Sequence, residues 1–211
     1  MTEALIFDFD GVLVSSDKPR FNVIQDTALS YSILVPNESI DLMIGRVTVD
    51  FLGDVLIESE KPLISKIIEE YEAEYKGNIT KYVQPIDLTV NFVKDYNGPL
   101  ALAIASTSSR AVIEELTSHF NISSKFRAVV SKEDVGKLKP DPEVYLKTAV
   151  ELGIQPGRCT VIEDSLIGVQ AAINANMRCF VLLNGFNFRE QFSGLNVAGF
   201  INSEKDLLDI N

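Results

Sequence analysis

The stretch Ala4-Leu5-Ile6-Phe7-Asp8-Phe9-Asp10-Gly11-Val12, ALIFDFDGV, runs apolar for four residues and then carries two acids separated by one aromatic. An apolar run without alternation describes a strand covered on both faces. A turn after such a strand accounts for one acid. Two at i and i+2 on an extended segment face the same way, a few ångströms apart, where only a proton or a cation relieves their repulsion. The pair therefore costs stability unless something binds there.

Similar runs rich in Val, Ile, Leu and Ala recur at Leu100 to Ala105, Ala128 to Val130, Cys159 to Ile162 and Cys179 to Leu183. Between them lie patterns of helical period at Arg110 to Phe120, Glu143 to Leu152 and Leu166 to Asn176. Asp141 and Pro142 mark one helix start, and Gly153 follows that helix where a left-handed stop is expected. Strand and helix alternating from residue 98 onward predict a parallel sheet with right-handed crossovers. The first strand is separated from the rest by residues 15–83, which read only as helices, at Arg20 to Tyr31, Asp50 to Glu58 and Pro62 to Tyr75. The expected architecture is α/β: a Rossmann-like parallel sheet core with helices on both faces, formed by 1–14 and 84–211, with a helical cap domain, 15–83, inserted after strand one.

The composition suits this reading. The chain has 211 residues, 46% hydrophobic and 23% charged, enough for a substantial core. No apolar run approaches the roughly 20 residues that span a bilayer, and no basic leader precedes the first strand, so a cytoplasmic protein without membrane contact is expected. Cys159 and Cys179 each sit inside an apolar run, the setting of small buried hydrophobes. With 19 basic against 30 acidic residues and a net charge of -11, nucleic acid is not an expected partner. A local cluster must hold any anionic substrate.

In open parallel sheets the ligand crevice lies beyond the carboxyl ends of the strands. The polar residues collect there. The first strand ends in Asp8 and Asp10, the second in Ser106-Thr107-Ser108, and the Cys159 strand in Glu163-Asp164-Ser165; the loop after Val130 carries Lys137 and Lys139. Taken singly, each has a plainer explanation: turn chemistry for Asp-x-Asp, helix caps for Ser-Thr-Ser and Glu-Asp, solvated loop for Lys139. In this order at four strand ends they converge on one site. Several acids around one point suit a hard dication, and Mg²⁺ fits a site of few carboxylates completed by water and a phosphate oxygen. Phosphoryl transfer to an aspartate uses all of these groups.

The motifs DFDGV (Asp8 to Val12), IAST (Ile104 to Thr107), LKPDP (Leu138 to Pro142) and IEDSLIGVQAA (Ile162 to Ala172) together resemble the haloacid dehalogenase superfamily over nearly the whole chain. The helical insertion is similar to the C1-type cap of the subgroup holding β-phosphoglucomutases and phosphoglycolate phosphatases. The resemblance implies that Asp8 is the nucleophile and Asp10 the acid and base. It further implies that Asp8, the Asp10 carbonyl and Asp164 with help from Glu163 bind Mg²⁺, and that Ser106 and Lys139 hold the transferring phosphate, Lys139 also restraining Asp8. Gly11 lets the chain turn sharply after the acids.

Among members of such a family, a dehalogenase would lack the second aspartate. A mutase is expected to carry histidine where this chain has Arg20, and a cap arginine where it has Thr48, although Arg46 follows Gly45 directly. The lone histidine, His119, reads as helix surface. Gly11 and Thr107, with the cap residues Arg20 and Arg46, are the candidates for contact with substrate; Lys18 and Lys76 are further cap cations. The expected activity is Mg²⁺-dependent hydrolysis of a small phosphorylated metabolite, of sugar phosphate or phosphoglycolate type, by a monomer or weak homodimer. A phosphomutase is the alternative, and a non-catalytic binding protein on the same fold is the alternative of another class. Intact acids and lysine argue against the last, because a retired site has no need of a charge cluster that costs stability.

Overall fold

The computed structural model describes residues 1–43 and 47–210. The chain forms two compact units, Met1–Val14 with Pro85–Asn211, and Ser15–Gln84. In the first unit the strands are β1 (Ala4–Phe7), β2 (Ala101–Ala105), β3 (Ala128–Val130), β4 (Cys159–Glu163), β5 (Arg178–Leu182) and β6 (Gly199–Ile201). Among the described residues they form one sheet in the order β3-β2-β1-β4-β5-β6, every pair parallel. The expected parallel sheet with helices on both sides is what forms.

The continuous apolar runs follow from that two-sided cover. On β1, Ala4 and Ile6 join a cluster with Val144, Tyr145, Val169 and Ala172, while Phe7, one step out of phase, meets Phe92 at 6.3 Å between ring centroids. Each large side chain taken fully from water contributes about 1.5–3 kcal/mol. Neither face of β1 can therefore be polar.

Register then places the acids. Phe7 is paired with Ile104 on β2 and with Ile162 on β4, so Asp8 emerges between the carboxyl ends of both neighbours. Its N–H still donates to the Ile162 carbonyl at 2.9 Å, one residue past the strand. The strand order reverses between β1 and β4, the switch point at which doubly wound sheets bind their ligands.

The second unit is helical: α1 (Asp17–Ser30), α2 (Ile40–Met43), α3 (Thr48–Val55), α4 (Ile64–Gly77) and α5 (Ile79–Tyr82). Phe21, Ile24 and Ala28 of α1, Phe51 of α3, and Ile67, Tyr71 and Tyr75 of α4 are among its buried residues, with Phe21 and Phe51 centroids 6.0 Å apart. The segment is not helical from its first residue, because Ser15 belongs to a two-residue strand, Val14–Ser15, paired with Gln84–Pro85. Helices of the first unit are α6 (Asp87–Asp95), α7 (Arg110–His119), α8 (Glu143–Leu152), α9 (Leu166–Asn174) and α10 (Glu204–Leu208). Gly153 closes α8 in the left-handed conformation, φ 70°. The sequence patterns did not mark β6, α6 or α10. Strand β5 lies one residue earlier than the apolar run suggests: it starts at the exposed Arg178, whose guanidinium stands over the Phe180 ring at 5.5 Å. No described helix is long and apolar enough to cross a membrane. Cys159 and Cys179 are buried free thiols, and His119 is exposed.

Candidate active site

Asp8, at the end of β1, is 8% exposed, and Asp10 follows two residues later. Between the acids and the next helical segment the chain reverses: the N–H groups of Leu13 and Val14 both donate to the Phe9 carbonyl, and Gly11 adopts φ +77°. Thr89 of α6 donates its hydroxyl to the Val12 carbonyl and secures the turn. Gly11 has a second reason to lack a side chain. A Cβ there would lie 1.9 Å from Asp164 Oδ2, so only glycine admits the carboxylate arriving from the end of β4.

Lys139 lies with only 3% of its side chain exposed, and its ammonium is surrounded. Nζ donates to Asp8 Oδ1 at 2.7 Å, to Glu163 Oε1 at 2.7 Å and to the Ala105 carbonyl at 3.4 Å, matching its three protons to three acceptors. It also lies 4.9 Å from the centroid of the Tyr145 ring. Lys137, the other lysine of that loop, is a solvent-facing partner of Asp141 at 3.4 Å. Charge and position alone do not separate the two lysines; the LKPDP motif marked Lys139, and the fold buries it against Asp8.

Glu163 is fully buried. Its Oε1 accepts Lys139 and the Tyr145 hydroxyl, at 3.0 Å, while Oε2 accepts the Asp164 and Ser165 N–H groups at 2.8 and 2.9 Å and the Ser165 hydroxyl at 3.0 Å. Gly168 makes room for it, since a Cβ there would fall 1.6 Å from Oε1. Carboxylate atoms of Asp8, Glu163 and Asp164 all lie within 4.8 Å of one another. Three hard oxygen donors this close together could hold a divalent cation.

Burial is the main force on these groups. It raises the Asp8 carboxyl to about 7, helped by the Glu163 and Asp10 charges and opposed by Lys139. Burial also works against the Glu163 charge, but Lys139 and the two backbone N–H donors outweigh it and hold Glu163 below its ordinary value. Lys139, facing both carboxylates, is raised despite its burial. The native site thus keeps Lys139 charged, and its acids compete for one cation.

The second strand end is arranged around Asp10. Ser108 donates its hydroxyl to Asp10 Oδ2, and the Ser108 N–H donates to the Ser106 hydroxyl at 2.9 Å. Ser106 is buried and Thr107 exposed. Arg20 belongs to α1 of the other unit, where it lies 3.6 Å from Asp17 and donates to the Met43 carbonyl at 3.4 Å. Arg46 lies outside the described residues. Lys18 stands over the Phe21 ring, and Lys76 pairs with Glu72 at 2.5 Å on the exposed face of α4.

Several residues at the site carry no signal in the sequence. Tyr145 reads as helix core and Gly168 as a weak spot in a helix. Asn184 and Asn187 read as turn residues around Gly185, yet both bond to Asp164, and nothing in NGFN separates a turn from a clamp.

Residues 5–182 match the haloacid dehalogenase-like hydrolase family. The chain is 30% identical over 190 residues to the phosphorylated carbohydrates phosphatase of Thermotoga maritima, covering 88% of this chain and 87% of that protein. It is 27% identical over 174 residues to the fructose-1-phosphate phosphatase YqaB of Escherichia coli, covering 82% and 92% respectively. In fold it is similar to CbbY from Rhodobacter sphaeroides in complex with phosphate, with a TM-score of 0.77 and 21% identity over 98% of this chain and 96% of that one. With an acid pair at a strand end, a buried lysine bound to the first acid, and a family match from the first strand to β5, the chain belongs to the haloacid dehalogenase-like hydrolases.

Proposed function

We propose that this hydrolase removes phosphate from a small phosphorylated metabolite, of the sugar phosphate or phosphoglycolate class, through an aspartyl phosphate formed on Asp8. The observation that carries the reading is the Asp8 carboxylate, oriented by Lys139 at 2.7 Å at the end of the central strand, with a second acid two residues on. The relatives named for phosphorylated carbohydrates and fructose 1-phosphate support the substrate class.

Asp8 and Asp164, with the Asp10 carbonyl, would hold Mg²⁺, Glu163 adding its charge from behind. The bound ion would neutralise phosphate charge and keep Asp8 ionised. An oxygen of Asp8 attacks phosphorus, the bond to the leaving oxygen breaks, and Asp10 gives that oxygen its proton. Asp10 then takes a proton from water, whose oxygen attacks the same phosphorus and frees inorganic phosphate and Asp8. Ser108 holds Asp10 in place for both transfers. Ser106 and the Gly11 turn lie beside the reacting group, and Lys139, with its donors committed to protein acceptors, acts by fixing and charge-balancing Asp8. Thr107, exposed beside Ser106, is the proposed contact of the rest of the substrate. We place the enzyme in the cytoplasm, as a monomer or weak homodimer, in keeping with two free buried thiols.

Phosphate release from sugar phosphates, phosphoglycolate, nucleotides and p-nitrophenyl phosphate, with Mg²⁺ and with EDTA, tests the reading against Asp8→Asn. Release that needs both Mg²⁺ and Asp8 is the expected result. Release by Asp8→Asn at the wild-type rate would overturn it, as would interconversion of hexose phosphates without net phosphate release.

A further inference from the structure

From the loop after β5 we infer that Asn184 is a positioning residue, the clamp that sets the Asp164 carboxylate for cation binding; the inference rests on the proposed reading of the site. The Asn184 Nδ2 donates to Asp164 Oδ2 at 2.8 Å and to the Gly11 carbonyl at 2.9 Å. Its Oδ1 accepts the Phe186 N–H at 3.0 Å. That third bond decides which way the amide faces, because an oxygen can accept from Phe186 and a nitrogen cannot. Both amide protons are consequently directed at oxygen, one on the acid at the end of β4 and one on the turn that follows Asp10.

The two acceptors explain why an amide stands here. A hydroxyl has one proton and could serve only one of them. Aspartate has none when ionised and would set carboxylate against carboxylate. Glycine at position 11 completes the arrangement, since any side chain there would occupy the space of Asp164 Oδ2. Asn187 braces the same segment, donating to the Asp164 carbonyl at 2.7 Å and to the Leu182 carbonyl at 2.9 Å, while its Oδ1 accepts the Asn184 N–H at 3.3 Å. Thus the β5 loop holds both the backbone and the side chain of Asp164. Groups that orient a metal ligand in this way typically affect metal affinity or activity ten- to hundredfold when removed.

The test titrates Mg²⁺ into metal-free wild type, Asn184→Ala and Asn184→Leu, reading binding heat and the rise in unfolding temperature. Phosphate release from p-nitrophenyl phosphate is followed against Mg²⁺ concentration in parallel. Expected is a rise of about ten- to hundredfold in the half-saturating Mg²⁺ of both variants, with a smaller fall in kcat at saturating Mg²⁺. Variants that keep the wild-type Mg²⁺ midpoint overturn the inference, even if they are less stable, because a merely structural side chain would change stability and leave the midpoint alone. Should Asn184→Leu not fold, Asn184→Ala carries the result, since truncating a half-buried loop side chain opens no core cavity. A wild type that neither binds Mg²⁺ nor needs it would instead overturn the phosphatase reading.

Discussion

Lys139 donates to Asp8 at 2.7 Å across a separation of 131 residues, with 3% and 11% of the two side chains exposed. A charge pair this deep is strong evidence of geometry and weak evidence of stability, since desolvation offsets much of the attraction. Its removal is unambiguous, because Lys139 also compensates Glu163. Lys139→Met leaves two acids facing each other, and a loss of about 3–5 kcal/mol is expected. Urea unfolding measures it; a loss under 1 kcal/mol would show that the acids find another partner.

The Asp8 carboxyl titrates near 7 in the native, metal-free protein against 3.8 as its ordinary value. The native state therefore holds a proton there that the unfolded chain has already released. The contribution of Asp8 to stability consequently falls as pH rises from 3.8 to about 7 and is level above that. Mg²⁺ takes the ionised form, so below pH 7 its binding should expel a proton and weaken as pH falls. Calorimetric titration at pH 6 in two buffers of different ionisation heat reads the proton directly. Identical heats in both would rule out this linkage.

Asp10→Asn keeps an oxygen to accept the Ser108 hydroxyl and loses the capacity to give and take a proton. Turnover of an alkyl phosphate should fall by about 10²–10⁴. The nitrophenolate of p-nitrophenyl phosphate leaves without a proton, so the variant should release one burst of nitrophenol and then stall with phosphate on Asp8. Intact-protein mass after the burst shows the adduct; steady wild-type turnover would remove Asp10 from proton transfer.

Replacing a helix-interior glycine by alanine ordinarily gains about 1 kcal/mol. Gly168→Ala should have the opposite sign. Its methyl would fall 1.6 Å from Oε1 and 2.0 Å from Cδ of Glu163, a buried carboxylate whose oxygens are engaged by five donors. A destabilisation of about 1–3 kcal/mol is expected, together with a higher half-saturating Mg²⁺. Thermal unfolding decides the sign.

Much of this was legible in the sequence because it follows from local chemistry. Short apolar runs without alternation, separated by helical patterns, fit strands covered on both faces, so the parallel sheet and its helices could be read from ALIF, LALAIA and CTVI. Asp8, Asp10, Glu163 and Asp164 stood out because a strand end is where such sheets expose side chains to a ligand. Residues whose role lies in a distant contact were not legible. Lys139 was marked only through its LKPDP motif, since by residue type and position it does not differ from Lys137, which packing sends to solvent. Tyr145 looks like any core aromatic until its hydroxyl is seen on Glu163.

The sequence by itself determined five of the six strands of the main sheet, their alternation with helices and the acids at strand ends, since these depend on neighbours a few residues apart. Tertiary structure alone decided why residues 11 and 168 cannot carry a side chain, and that Asn184 grips Asp164. Those depend on strand order, which brings the ends of β1, β2, β4 and β5 together across separations that no local pattern records.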